Sequence, residues 1–545
     1  MKKIITVMLS AFLFCTSTHS CIKEDEVREG APNRNINENI KSYADLFTVF
    51  WTVMDERYNF FYEQKKRDGM DWTAVYNEYY PKFLALKSYQ QQGFSEHVIQ
   101  ADARKAKEYF TKIIDPIMDR HYAVYIDLPS LGRQAFGGND ERLKQTRTYG
   151  FDKRAAYMKE HLREDAFESE TLLAGYLKAN PDIFYVAFSM FDLSQNVGIF
   201  SDDYSLKPVA NPLTIAEIEN AAALQQITDA NTKSAIRQLS VSLFNEWSKA
   251  ASQSSAEITN FNVQMKTFKD TELISPALSA AGQKLYAKFS NLKDYESKEI
   301  YGSLLSDETK AYIRWFIGRM NEHINTSGLS KIVMASWDFD LKTEFYRKFL
   351  NPLTNGKIKK VIIDLRDNGG GQIIDSRFFV DRFVTKEVVY GYQRTKEGAG
   401  RFNYTPWIEE RAIRHQFAIP APIPMAILTN GFTASMGEAA TLTWKSQGPQ
   451  VVSIGNYTTG ATAGLGPFTD FNGGTYREKF GGKIEFIMPM MAFKDAGGQV
   501  IEGIGIKPDI AVPDPTDTEI AAMEHSPKTF IDRVMTEAVK YLSSQ

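Results

Sequence analysis

The sequence predicts an α/β protein, with a parallel-sheet core near its carboxyl end, a helical region ahead of that core and an inserted helical subdomain. Three observations predict it. KKVIIDLR (359–366) is a continuous apolar run of the kind buried on both faces of a parallel sheet. PMAILTN (424–430) and VVSIG (451–455) read the same way. Helical spacing in QIIDSRFFVDRFV and SMGEAATLTWKS follows the first two, so successive β-α-β units imply a right-handed parallel arrangement.

The 545 residues are too many for one ordinary core, and 43% hydrophobic with 24% charged residues is the composition of a globular chain. A net charge of −3 offers no basic excess, so no nucleic-acid partner is expected.

Taken in order, MKKIITVMLSAFLFCTSTHSC has two lysines, a short apolar stretch and small polar residues. That is the layout of a secretory signal over 1–20, too short to remain as a spanning helix. Thr18-His19-Ser20-Cys21 resembles the lipobox of bacterial lipoproteins, which implies lipidation of Cys21 and a membrane anchor in the bacterial cell envelope. Cleavage of a plain signal near Ser20 is the alternative. Cys15 and Cys21 are the only cysteines, so no disulfide framework is expected. The acidic cluster after Cys21 resembles a surface-export signal of Bacteroidetes lipoproteins, and residues 21–40 read as a flexible tether.

Residues 41–130 read as a helical region whose aromatic stripe (Phe47, Trp51, Tyr58, Phe61) is core packing. Within it HYAVYIDL (121–128) alternates like a strand, as DIFYVAFSMF (182–191) does in the mixed segment 131–211. Residues 212–330 form the helical insert, 331–515 the core and 516–545 a C-terminal helix.

The core ends its second strand with AILTNGFTASMGEAATLTW (426–444). Ser435 stands where the helix begins, and S-x-x-E with Glu438 is the pattern of a capping box. Capping and nucleophilic catalysis are both open on local grounds. Both strand–turn–helix crossings place their turns at carboxyl strand ends, where open α/β sheets carry active sites. Ser435 and the Gly369-Gly370-Gly371 run then face one another. A serine at a helix start lies beside unpaired N–H groups, and the Met436 N–H could bind a developing oxyanion. A glycine loop can supply the second donor, each worth roughly 3–4 kcal/mol in the transition state. DNGGGQII fits neither dinucleotide nor P-loop patterns, and H-E-x-x-H is lacking, so no cofactor and no metal are expected.

VIIDLRDNGGG, NGFTASMGEAA and EGIGIKPDI together resemble the S41 serine peptidases, which include the tail-specific (C-terminal processing) and tricorn-like proteases. FWTVMDERYNFFY and DWTAVYNEYY are similar to the leading segment of Bacteroidetes members. The resemblance implies a ClpP/crotonase-like core and a polypeptide substrate. It implies that Ser435 is the nucleophile, that Gly371 and Met436 N–H groups form the oxyanion hole, and that Gly370 supports them. Many members pair serine with a lysine, but Ala461 stands at that place. No PDZ-like segment is evident.

A base is still needed, and histidine is the default near neutral pH. His121, in IIDPIMDRHYAVYID, resembles the segment supplying the histidine of tricorn-like members, although Tyr122 replaces a small hydroxyl residue. Glu502 matches their orienting acid, with an exposed strand-end glutamate as the plain alternative, and Glu438 could instead steady the serine loop. Lys445, His161, His323 and His525 read as surface residues. The competing class is an inactive S41 scaffold that binds peptide or glycan at the envelope.

Overall fold

A computed structural model describes residues 36, 38–139, 141–200, 203–398, 400–465, 473–526 and 530–545. The signal, Cys21 and nearly all of the tether lie outside these residues.

The strands run, in chain order, β1 (Ala123–Leu128), β2 (Gly132–Phe136), β3 (Phe167–Glu168), β4 (Leu172–Tyr176), β5 (Ile183–Phe188) and β6 (Lys360–Asp364). After them come β7 (Val389–Arg394), β8 (Ile408–Arg411), β9 (Met425–Thr429), β10 (Val451–Gly455), β11 (Thr475–Phe480), β12 (Ile484–Met488), β13 (Ala492–Asp495) and β14 (Ile510–Ala511). The central sheet has the order β14-β10-β9-β6-β5-β4-β3. Its five members from β5 to β14 are parallel, whereas β4 and β3 extend it antiparallel.

Both faces of this sheet are covered, which explains the unbroken apolar run of β6. Val361 and Ile363 join the core shared with the helices of the 215–354 region. Ile362 points the other way, into a core with Leu428, Ile454 and the C-terminal helix residues Met535, Ala538 and Leu542. A strand with two dry faces has no use for alternation. The registers Asp364↔Leu428 and Thr429↔Gly455 align the carboxyl ends of β6, β9 and β10. Three loops therefore leave the same edge: the glycine turn, the segment ending at Ser435, and residues 456–463.

The amino-terminal helices Tyr43–Arg57, Phe61–Asp68, Trp72–Leu84 and Glu96–Ile114 pack on a second sheet, β11-β12-β1-β2. Phe47, Tyr58 and Phe61 are buried there, and the Trp51 indole N–H donates to the Trp72 carbonyl at 2.7 Å. The apolar stripe is core, as its helical spacing implies. Because β1 pairs with β12 (Ala123↔Ile487), the start of the chain is stitched to its far end. That pairing sets down His121, two residues before β1, beside the loop that carries Glu502. Helices spanning Ala230–Gln253, Ser255–Thr271, Pro276–Phe289 and Asp307–Thr326 build the layer over one face of the central sheet.

Candidate active site

Ser435 is the residue before the helix Met436–Lys445, with φ 53° and ψ −118°. A left-handed φ is costly for a side-chain-bearing residue, on the order of 1–3 kcal/mol, and needs its surroundings to hold it. They do. The Ser435 N–H donates to the Ala461 carbonyl (2.8 Å) and to Glu438 Oε2 (3.2 Å). The reciprocal capping pair with Glu438 is present, yet the hydroxyl makes no cap hydrogen bond of normal geometry. Glu438 acts chiefly as an anchor. Fully buried, it also accepts the Gly460 N–H (2.8 Å), the Ala461 N–H (2.7 Å) and the Thr458 hydroxyl. Burial pushes its carboxyl above the usual range.

The glycine turn closes on the serine. A Cβ on Gly370 would lie 2.5 Å from the Ser435 Cβ and 2.9 Å from the Met436 nitrogen. Its φ of +96° is itself suited to glycine. The neighbouring Phe191 N–H donates to the Gly370 carbonyl (2.8 Å) and the Gln372 N–H to the Phe191 carbonyl (2.6 Å). This bridge leaves the Gly371 N–H, like that of Met436, donating to no group among the described residues. Two bare amide donors thus stand on either side of the Gly370 contact.

Two residues that sequence reasoning missed hold this turn. Asn368 and Thr433 are both fully buried. Asn368 donates to the Phe188 carbonyl (2.8 Å) and accepts the Gly370 N–H (3.0 Å), and its own carbonyl accepts the Ala434 N–H (3.0 Å). The Thr433 hydroxyl donates to the Leu365 carbonyl (2.7 Å) and accepts the Asn430 N–H (3.1 Å). Their signal in the sequence was a polar residue directly beside each tight turn, where loss of one bond strands a buried donor.

His121 is half-buried, with its N–H donating to Asp119 Oδ1 at 2.8 Å. Its Nδ1 is buried without a partner, and burial lowers the ring to a pKa of about 4, so the imidazole is neutral at pH 7. No hydrogen bond joins this ring to the Ser435 hydroxyl. Glu502 is fully buried rather than exposed at a strand end. It accepts the N–H groups of Arg120 (2.9 Å), Thr462 (2.9 Å) and Ala463 (3.3 Å). Side-chain atoms of Asp119, His121 and Glu502 lie within 4.8 Å of one another. Among the described residues only this group is close enough to hold a metal ion, and three backbone N–H groups fix the Glu502 carboxylate in it. Such an environment suits an orienting carboxylate. Segment 460–463 joins the two halves of the site, since Ala461 binds the Ser435 N–H and the next residue binds Glu502.

Lys445 sits at the far end of a ten-residue helix, about 15 Å from Ser435 along its axis. It is tied to Asp509 (2.9 Å) and Ser453 (3.1 Å) rather than lying loose on the surface. His161 and His525 are exposed, but His323 is half-buried and accepts the Leu213 N–H (3.2 Å). No helix among the described residues is long and apolar enough to cross a membrane.

Several solved structures are similar to the chain. A Parabacteroides merdae protein solved as a candidate peptidase is 14% identical over 92% of this chain and 97% of its own, at TM-score 0.47. Mature CPAF complexed with lactacystin is 9% identical over 93% and 99%, at TM-score 0.44. Tricorn protease is 19% identical over 44% and 20%, at TM-score 0.24. No curated protein matches the sequence. Residues 330–512, which carry the glycine turn, Ser435, Glu438 and Glu502, match the model of peptidase family S41.

Proposed function

We propose that the chain is a serine peptidase that cleaves polypeptides through an acyl-enzyme on Ser435, with His121 as base. The observation that carries this reading is the contact between Gly370 and Ser435, which leaves the Gly371 and Met436 N–H groups bare on either side of a strained serine. Ser435 Oγ adds to the scissile carbonyl carbon while its proton passes to the neutral His121 ring. The two amides take the charge that forms on the carbonyl oxygen. The imidazolium then gives its proton to the departing amine as the C–N bond breaks. Water, deprotonated by the same ring, releases the acyl group. Glu502, fixed by three backbone donors, orients the ring and stabilises its charged form.

Ala461 supports histidine over lysine: its amide binds Glu438 and its carbonyl binds the Ser435 N–H, so its place is filled by backbone contacts. Met190, Ile373, Ile374 and Phe432 are exposed on the segments that bracket Ser435, an apolar rim suited to polypeptide side chains. At the amino end, Cys21 as a lipid-bearing residue would hold the enzyme on the bacterial envelope. The support for that anchor is the sequence alone, and its test is loss of membrane association in Cys21→Ser.

A fluorophosphonate probe tests the central claim. It should label the wild type and fail on Ser435→Ala, and casein cleavage should vanish with it. A wild type that neither labels nor cleaves would favour a binding scaffold without chemistry.

A further inference from the structure

Asp119 has no task in the mechanism above, although it is buried to 1% exposure beside His121 and Glu502. Building on the pairing of His121 with Glu502, we propose that Asp119 is a positioning residue whose carboxyl keeps a proton, so that the buried acid pair holds a single negative charge, on Glu502, beside the His121 ring.

Two observations assign the proton. First, oxygens of both acids lie within 4.8 Å of each other and of a ring nitrogen, out of water. Two carboxyls so placed cannot both ionise, because neither charge is solvated and each repels the other. Second, the donors are divided unequally. Three backbone N–H groups converge on Glu502 and use both of its oxygens. Asp119 Oδ1 accepts the His121 N–H, while Oδ2 is buried with no partner. N–H donors favour the ionised form, so the better-supplied acid keeps the charge. A proton on Oδ2 removes the charge from an oxygen that neither water nor any donor solvates. Burial raises both carboxyls, and the backbone donors decide which of the two gives up its proton first.

The cations around the pair offset its burial only in part. Arg120 draws the Asp119 carboxyl down while reaching the Asn139 carbonyl (3.4 Å), and Arg67, packed against Gly503, donates to the Pro116 carbonyl (2.9 Å). Tyr58 and Tyr122 face Asp119 as neutral phenols that burial keeps protonated, and Glu438 adds a further acid from the serine side.

The test compares Asp119→Asn with Glu502→Gln in the full chain, by kcat/KM on a peptide and by NMR titration of labelled histidine, with the His121 signal assigned from its loss in His121→Gln. Asparagine mimics a protonated aspartic acid. Asp119→Asn should therefore keep kcat/KM within a few-fold and leave the His121 titration in place, whereas Glu502→Gln should cost about a hundredfold or more and lower that titration. Equal losses in the two variants, or a lowered His121 titration in Asp119→Asn alone, would overturn the assignment. A wild type inactive on peptides would defeat the peptidase reading, but the ring titration would still decide this one. If Asp119→Asn does not fold, infrared spectra of the wild type carrying 13C-labelled aspartate serve instead. A buried acid C=O band that shifts with the label supports Asp119 as proton holder, and one that does not shift refutes it.

Discussion

Gly370 lies against Ser435 so closely that no side chain fits between them: an added Cβ would meet the serine Cβ at 2.5 Å and the Met436 nitrogen at 2.9 Å. The methyl would cover the amide that the oxyanion needs. Gly370→Ala should therefore abolish fluorophosphonate labelling and lower the melting temperature, because the methyl forces the backbone at Ala434 and Met436 aside in addition to the positive-φ cost of about 1–3 kcal/mol. Labelling at the wild-type rate would show that the gap is not the oxyanion site.

Glu438 gathers the Ser435 N–H, two loop amides and the Thr458 hydroxyl. Glu438→Ala leaves the Ser435 N–H its Ala461 carbonyl but strands the Gly460 and Ala461 N–H groups and the Thr458 hydroxyl in the interior, at about 1–3 kcal/mol for each. Chemical denaturation should report a loss of several kcal/mol, and the surviving fold should hold Ser435 poorly. A loss under 1 kcal/mol would mean that water replaces the carboxylate at no cost.

Burial lowers the His121 ring to a pKa of about 4, below the ordinary 6.5. A base must be unprotonated, so the acid limb of kcat/KM should fall below pH 6.5. The stability sign agrees: between the two values the unfolded chain binds the proton that the folded chain refuses, so stability drops as pH falls through that window. His121→Gln should remove the limb together with nearly all activity. An acid limb at or above 6.5 in the wild type would assign the base elsewhere.

Lys396 is a further buried cation, 1% exposed, with its amine donating to the Asp55 carbonyl at 2.7 Å. Burial lowers it to a pKa of about 7. Below that value both states are protonated and the cost of burying the charge is fully present. Between about 7 and 10 only the unfolded state holds the proton, so folding gains stability as pH rises. Lys396→Met should gain most over wild type near pH 6, on the order of 4 kcal/mol, and lose that margin by pH 10. A margin that is flat with pH would refute the shift.

Much of the central sheet was legible because its signals are local. The apolar runs of β6, β9 and β10 and the spacing after each turn are properties of short segments, and the shared edge follows from parallel connections. The clamps Asn368 and Thr433 showed only as polar residues beside tight turns, since their partners Phe188 and Leu365 come from distant parts of the chain. The burial of Glu502 was hidden for the same reason: its donors come from residues 120, 462 and 463. His323 read as surface because charged residues flank it on its helix, while the segment that covers it, near Leu213, is 110 positions away. Asp119, a sequence neighbour of His121, carries no role in the sequence reading because one acid beside an arginine looks solvated until a second buried acid faces it.

The pairing of β1 with β12 also sets a timetable. Arg120 and Glu502 are 382 positions apart, so the imidazole cannot be fixed until nearly the whole polypeptide has emerged and its two ends have docked. On the reading proposed above, a growing chain carries the serine without its base and acquires its reactivity only on completing the fold.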